Sequence, residues 1–387
     1  LNDNILNIDI FWLAYHNHND DKYILEILGE CLQRKIIPPT KLIVEQKQIT
    51  RKKTNGSIRI GFCSEFLRDH TIGKLNIGLI QALAARDFDV FIFSGPGTKL
   101  DEKRKSIEAL AKDSCSLPTS LHNSCEIIKS YDLDILFYPE IGMSPFTYQL
   151  ALNRLAPVQV ASWGHPSTTG LSTIDYFISA NNFETNKSDA YYTERLIRFS
   201  RIPCIYIPPK APEGKTSNCF PELNHNHLLI GIPQSLFKIH PDYDMILAQI
   251  VSKIPKALLV LIEGDNKSQT QKLRSRWFKN EPKLLQKSIF LPRMSQSNYL
   301  LLLGKVDILL DPFYFGGGNT FYESMVFGTP WVTMPTKFLR SRIAYACYTQ
   351  MDINNAPIAK SPKEYLDLCI KLASDPSLRK SIKKKSR

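Results

Sequence analysis

The apolar positions of this chain fall into short runs separated by longer segments of helical spacing. From Ser57 the run IRIGFCSEF leads into a turn at Leu67–Thr71 and a helical pattern over 72–86. FDVFIFSG, LDILFYPE (133–140), VQVASWG (158–164) and YFISAN (176–181) continue the series, with a charged helical region before LDILFYPE. Apolar runs alternating with helices predict a parallel sheet covered on both faces. Between Pro203 and His227 the periodicity lapses and five prolines fall, at 203, 208, 209, 212 and 221, which predicts a linker. A second series follows: LLIGIP (228–233), a helix from Pro241, ALLVLIEG (257–264), a helix rich in Lys and Arg, SIFLPR (288–293), a helix at 297–304 and DILLDP. The expected class is α/β. Two doubly wound, Rossmann-like domains, 57–202 and 228–387, are joined by a linker over 203–227. They are expected to face a cleft at the carboxyl ends of both sheets.

Residues 1–56 read as a helical appendage and linker. Ile10–Arg34 has apolar residues at roughly helical spacing, broken by the polar HNHNDD, and Pro38-Pro39 stops the pattern. The charged segment Glu45–Asn55 reads as linker, and His16 and His18 as turn or surface residues. No repeat of roughly 34 residues is visible.

The most informative stretch is Asp311–Pro335, DPFYFGGGNTFYESMVFGTPWVTMP. A strand leads into Gly316, Gly317 and Gly318, a helical pattern runs from Asn319 to Phe327, and WVTMP reads as the next strand. Glycines between a strand and a helix let backbone approach a ligand, and the helix start favours an anion. Asn319 and Thr320 add short polar groups, and Glu323 lies one turn on, where a carboxylate accepts ribose hydroxyls. The expected ligand is a nucleoside diphosphate. The lysine-bearing P-loop and the dinucleotide fingerprint are both absent, which disfavours ATPases and dehydrogenases.

Composition narrows the class further. The 387 residues are 43% hydrophobic and 22% charged, as in a globular protein large enough for two cores. The net charge of +12 suits an anionic substrate, and its one cluster, Arg379–Arg387, reads as a solvated terminal helix. No nucleic-acid-reading motif accompanies it. The eight cysteines show no CxxC spacing and no zinc-like grouping, so they read as thiols of a reducing, cytoplasmic compartment. No apolar run approaches the roughly 20 residues of a membrane span, and no signal peptide is expected.

Several further residues fall at carboxyl ends of predicted strands. PQSLFKIHP places Ser235 and Lys238 after the first strand of the second domain, where a lysine stabilises a leaving diphosphate. His70, in SEFLRDHTIGKL, follows the first strand of the first domain and can orient a substrate or accept a proton. Trp163, Gly164 and His165, followed by Ser167–Gly170, close another strand. Tyr299 opens the helix before DILLDP, where an aromatic ring can stack on a base.

These motifs together resemble the O-GlcNAc transferase (SPINDLY-type) family. PQSLFKIHP, LPRMSQSNYLLLL and the glycine-turn stretch look like its nucleotide half; RIGFCSEFLRDHTIGKL and RLAPVQVASWGHPSTTGLSTIDYFIS look like its other half. The resemblance spans about residues 57–375 and implies a GT-B glycosyltransferase of inverting type. Such an enzyme uses a UDP-sugar, needs no metal ion or other cofactor, and has a protein acceptor as partner. It implies Lys238 on the diphosphate, Asn319 and Thr320 on phosphate, Glu323 on ribose, and Tyr299 near the uracil. It also implies His70 as a catalytic group and Trp163, Gly164 and His165 near the sugar. The FGGGNT form is similar to bacterial members, including protein N-glycosyltransferases, and leaves the choice between GlcNAc and a hexose open. Alternatives are a GT-B transferase with a glycan or lipid-linked acceptor, and a catalytically silent sugar-nucleotide-binding module.

Overall fold

The structure is a computed structural model and describes residues 9–15, 19–36, 56–212, 219–223 and 226–386. His16, His18, Pro38-Pro39, all of Glu45–Asn55 and part of the 203–227 linker lie outside these residues. Two compact units are present, one built on Asn19–Ile207 and the other on Pro208–Arg387, and the second also takes in Tyr15.

The first unit holds seven parallel strands: β1 (Ile58–Ser64), β2 (Phe88–Ser94), β3 (Asp113–Ser116), β4 (Ile135–Tyr138), β5 (Val158–Ser162), β6 (Tyr176–Ala180) and β7 (Arg195–Phe199). Their order is β3-β2-β1-β4-β5-β6-β7, and every pairing is parallel. β1 and β2 run in register from Ile58 opposite Phe88 to Ser64 opposite Ser94. Helices Thr71–Ala84, Glu102–Glu108, Leu121–Ser130 and Pro145–Ala151 connect the strands. The core on one face of the sheet gathers Phe62, Ile92, Phe137 and Val160 against Ile72 and Ile80. The patterning foretold the five inner strands; the two edge strands, β3 and β7, carried no such signal. DSCS is almost wholly exposed, and RLIRF buries only its leucine fully. Edge strands are half-solvated and tolerate charge, so their apolar pattern is weak.

The helix Lys22–Ile36 packs on this unit at Gly170. Gly170 has φ +71, and a Cβ there would come within 2.3 Å of the Leu25 carbonyl carbon. Both the dihedral and the approach require glycine.

The second unit holds β8 (Leu228–Ile232), β9 (Ala257–Ile262), β10 (Ser288–Leu291), β11 (Ile308–Leu310) and β12 (Trp331–Val332), in the order β10-β9-β8-β11-β12 and all parallel. Helices Pro241–Lys253, Lys267–Asn280, Gln296–Lys305 and Asn319–Met325 alternate with them, and Ile343–Gln350, Pro362–Ser374 and Pro376–Lys385 follow. The core is centred on the fully buried Tyr243, Leu259, Trp277 and Tyr365. The terminal basic cluster lies on the last helix, which buries only Ile382. Among the described residues no helix is long and apolar enough to cross a membrane.

Candidate active site

In an open parallel sheet the ligand crevice lies outside the strand ends where the order reverses. In the second unit that point is between β8 and β11. Gln234 follows β8 and Asp311 follows β11, and both are buried. The 3-10 turn Leu236–Lys238 then brings Lys238 back over the strand ends.

Lys238 Nζ donates to Gln234 Oε1 at 2.9 Å and to the carbonyl oxygen of Gly316 at 3.1 Å, and lies 4.5 Å from the centre of the Phe315 ring. Tyr15 stacks on that ring, centroids 4.3 Å apart. Burial lowers the lysine to about 8, partly offset by the Asp311 charge. Among the described residues no carboxylate comes within ion-pairing distance of Lys238. A partly buried cation held only by neutral oxygens keeps its charge for an incoming anion.

Asp311 organises the glycine turn. Its carboxylate accepts the Gly317 amide at 2.6 Å and the Thr333 hydroxyl at 2.7 Å. A Cβ on Gly316 would fall 2.7 Å from Asp311 Oδ2, so this glycine permits the close approach. Burial raises Asp311 to about 6 against the pull of Thr333, Gly317 and Lys238. This arrangement corrects the expected cradle. The Gly316 amide donates to the Arg340 carbonyl at 2.8 Å and the Gly317 amide to Asp311, so neither is left for a phosphate. The amides that remain are those of Gly318 and Thr320, where the helix Asn319–Met325 begins. Gln234 adds another donor: its Nε2 is buried without a hydrogen-bond partner, and a Cβ on Gly317 would lie 3.0 Å from it.

The other predicted residues of this unit gather round the same helix. Tyr299 brings its hydroxyl to Thr320 Oγ1 at 3.1 Å and to the Pro233 carbonyl at 3.3 Å. The ring is thereby fixed beside the helix start. Glu323 is buried, and one of its oxygens accepts Gln296 Nε2 at 2.8 Å. Asn319 is buried in the first turn, and Ser235 is exposed at the start of the Lys238 turn.

In the first unit His70 caps the helix Thr71–Ala84, its Nδ1 accepting the Ile72 amide at 3.2 Å. The ring packs 4.8 Å from Phe66. Burial, helped by Arg68 and Lys74, lowers the imidazole to about 4. The neutral ring therefore carries its proton on Nε2, and that edge is a donor. The loop after β5 differs from expectation. Trp163 is buried edge-on to Phe183, so its faces serve the core. Gly164 is needed for packing, since a Cβ would come 2.4 Å from the Pro139 carbonyl, and His165 is buried beside Gly142. The hydroxyls of Thr168 and Thr169 both go to the buried Glu194. They hold the loop together through a residue some 25 positions away in sequence. Asp311, Gln234 and Glu194 were not singled out from sequence; the strand-end position of the first two was the available signal.

Comparison with known proteins supplies the missing context. Residues 220–387 match the model of glycosyl transferase family 41. Over this segment the chain resembles that family. The chain is 27% identical over 238 residues to a probable UDP-N-acetylglucosamine–peptide N-acetylglucosaminyltransferase SPINDLY of Hordeum vulgare, covering 60% of this chain and 25% of that protein. It is 24% identical over 259 residues to a UDP-glucose:protein N-beta-glucosyltransferase of Actinobacillus pleuropneumoniae serotype 7, covering 67% of this chain and 41% of that one. The chain thus spans less than half the length of these relatives. A solved Thermobaculum terrenum O-GlcNAc transferase mutant superposes with a TM-score of 0.84 at 21% identity, over 97% of this chain and 71% of that one. That likeness establishes the GT-B fold, and the O-GlcNAc transferase and SPINDLY resemblance holds. The matched segment contains the whole Lys238–Asp311–glycine-turn arrangement.

Proposed function

We propose that this chain transfers GlcNAc or a hexose from a UDP-sugar to a protein side chain, with inversion and without a metal ion. The observation that carries the reading is Lys238. Among the described residues it is a cation without an ion pair, at the switch point of the segment that matches family 41 and beside an unpartnered Gln234 amide. Relatives that act on UDP-GlcNAc or UDP-glucose and on proteins support the donor and acceptor classes.

In this mechanism the diphosphate sits against Lys238, Gln234 Nε2 and the Gly318 and Thr320 amides. Tyr299 and Glu323 flank the nucleoside. An acceptor atom attacks the anomeric carbon, and the bond to the diphosphate oxygen breaks on the opposite side. Charge grows on that oxygen, and Lys238 neutralises it more strongly than in the ground state. The lysine and amides provide the electrostatic help that a metal ion would otherwise give. His70, as a neutral donor, orients the acceptor. The test is sugar transfer from labelled UDP-GlcNAc and UDP-glucose to protein acceptors, with and without chelator. Chelator-resistant transfer with a β-linked product supports the reading; abolition by chelator or an α-linked product contradicts it.

A further inference from the structure

One ring touches both sides of the contact between Lys238 and the Gly316 carbonyl. Phe237 stands just before Lys238 in the turn Leu236–Lys238, and Phe315 just before Gly316 in the glycine turn. Tyr15, far away in sequence, reaches both. Its ring stacks on Phe315 with centroids 4.3 Å and planes 20° apart, and meets Phe237 edge-on at 4.9 Å and 85°. Phe315 is buried and in turn carries Lys238 Nζ 4.5 Å from its ring centre. Tyr15, Phe237, Lys238 and Phe315 all belong to the second unit.

Stacked and edge-to-face pairs are both favoured arrangements of aromatic rings, and together they fix a ring at two points. Seating Phe237 and Phe315 against one ring sets the spacing of their chain neighbours, Lys238 and Gly316. It also keeps water from the Phe315 side of the ammonium. Burial is the main cause that lowers Lys238 to about 8, and Asp311 offsets part of it. The other charges about these turns are engaged with one another or with rings. His240 lies 3.5 Å from Asp242, Arg276 pairs with Asp244, and the Arg340 guanidinium rests on Phe338. Burial pushes the Tyr15 hydroxyl well above the ordinary tyrosine value, so Tyr15 brings no charge of its own. A ring that excludes water without adding charge lowers the local dielectric, and a cation there holds an incoming anion more strongly.

We propose that Tyr15 is a positioning residue of the diphosphate site, acting through Phe315 and Phe237 to hold Lys238 in place and dry. This rests on the reading of Lys238 as the cation that meets the diphosphate. The effect of Tyr15 reaches the ligand only through that lysine. A segment that sequence alone gives as an appendage thereby contributes one residue to donor binding.

The experiment compares wild type with Tyr15→Phe, Tyr15→Leu, Phe315→Leu and the double variant Tyr15→Leu/Phe315→Leu. UDP is titrated calorimetrically into each protein from pH 6.5 to 9.5, with thermal unfolding alongside. Tyr15→Leu keeps apolar bulk but offers no flat face, so it is expected to bind UDP about three- to tenfold more weakly at pH 7. Water then reaches the ammonium, and the pH at which affinity falls is expected to move upward from about 8 by roughly one pH unit. Tyr15→Phe keeps both ring contacts and should restore the wild-type affinity and profile. In the double variant the two losses of affinity should be less than additive, because Tyr15 acts through Phe315. A role confined to folding lowers the unfolding temperature and leaves the pH profile where it is. An unmoved profile in Tyr15→Leu, or fully additive losses in the double variant, overturns this inference alone. A wild-type chain that binds no UDP overturns the transferase reading and this one together.

Discussion

Lys238 and Gly316 are 78 positions apart in sequence, yet the lysine ammonium donates to the glycine carbonyl at 3.1 Å. The contact joins the end of β8 to the turn after β11 and puts a cation at the reversal point of the sheet. Lys238 therefore both completes the turn and supplies charge.

Replacing that charge should cost catalysis far more than folding. Lys238→Ala is expected to lower kcat by about 100-fold or more, as for other preorganised stabilisers of a developing anion. Thermal unfolding should move by only a few degrees, since the side chain's bonds are to neutral oxygens. Steady-state kinetics and calorimetry check both halves; full turnover would remove Lys238 from the mechanism.

The lowered lysine sets a pH window for ligand binding. Free Lys238 titrates at about 8, and an anion beside it raises that value. The protonated form binds UDP better, so affinity should be flat below about pH 8 and fall as pH rises past it. A titration series across pH 6.5–9.5 reads this, and Lys238→Ala should flatten the fall.

Asp311→Asn tests the frame of the turn. The carboxylate loses its charge toward Lys238 and part of its acceptance of Gly317 and Thr333. Stability should drop by about 1–3 kcal/mol, and UDP binding should weaken by roughly tenfold. Urea unfolding and calorimetry measure the two. In wild type the buried Asp311 has a raised folded value of about 6, so it binds more protons folded than unfolded. Its contribution to stability is present at acid pH and is lost as pH rises from about 4 to 6.

His70 makes the opposite contribution. Its folded value of about 4 lies below the ordinary histidine value, so the unfolded chain binds the extra proton between about pH 4 and 6.5. Stability should fall as pH drops through that window, and His70→Asn, which retains a capping oxygen, should lessen the fall. Chemical unfolding at pH 5 and 7 decides it.

The fold was legible because both sheets are buried on two faces and announce themselves as apolar runs. What escaped were the strands without that burial, DSCS and RLIRF at the sheet edges. Position was legible where it follows local order: Lys238, the glycine turn and Glu323 sit at strand or helix ends that a pattern can place. A residue's task was not legible where it depends on a distant partner. Gly317 reads as a phosphate donor until Asp311 is seen to take its amide. Thr168 and Thr169 read only as part of a strand-closing turn, and nothing in their spacing announces that both hydroxyls go to Glu194. Trp163 reads as a sugar contact until Phe183 is found against it. Spacing along the chain carries no information about such long-range contacts.

The measurement closest to the central claim is calorimetric titration of UDP into wild type and Lys238→Ala at pH 7. The account predicts saturable one-site binding to wild type and at least about tenfold weaker binding, 1.4 kcal/mol or more, to the variant. Equal affinities, or no binding to wild type, would contradict it.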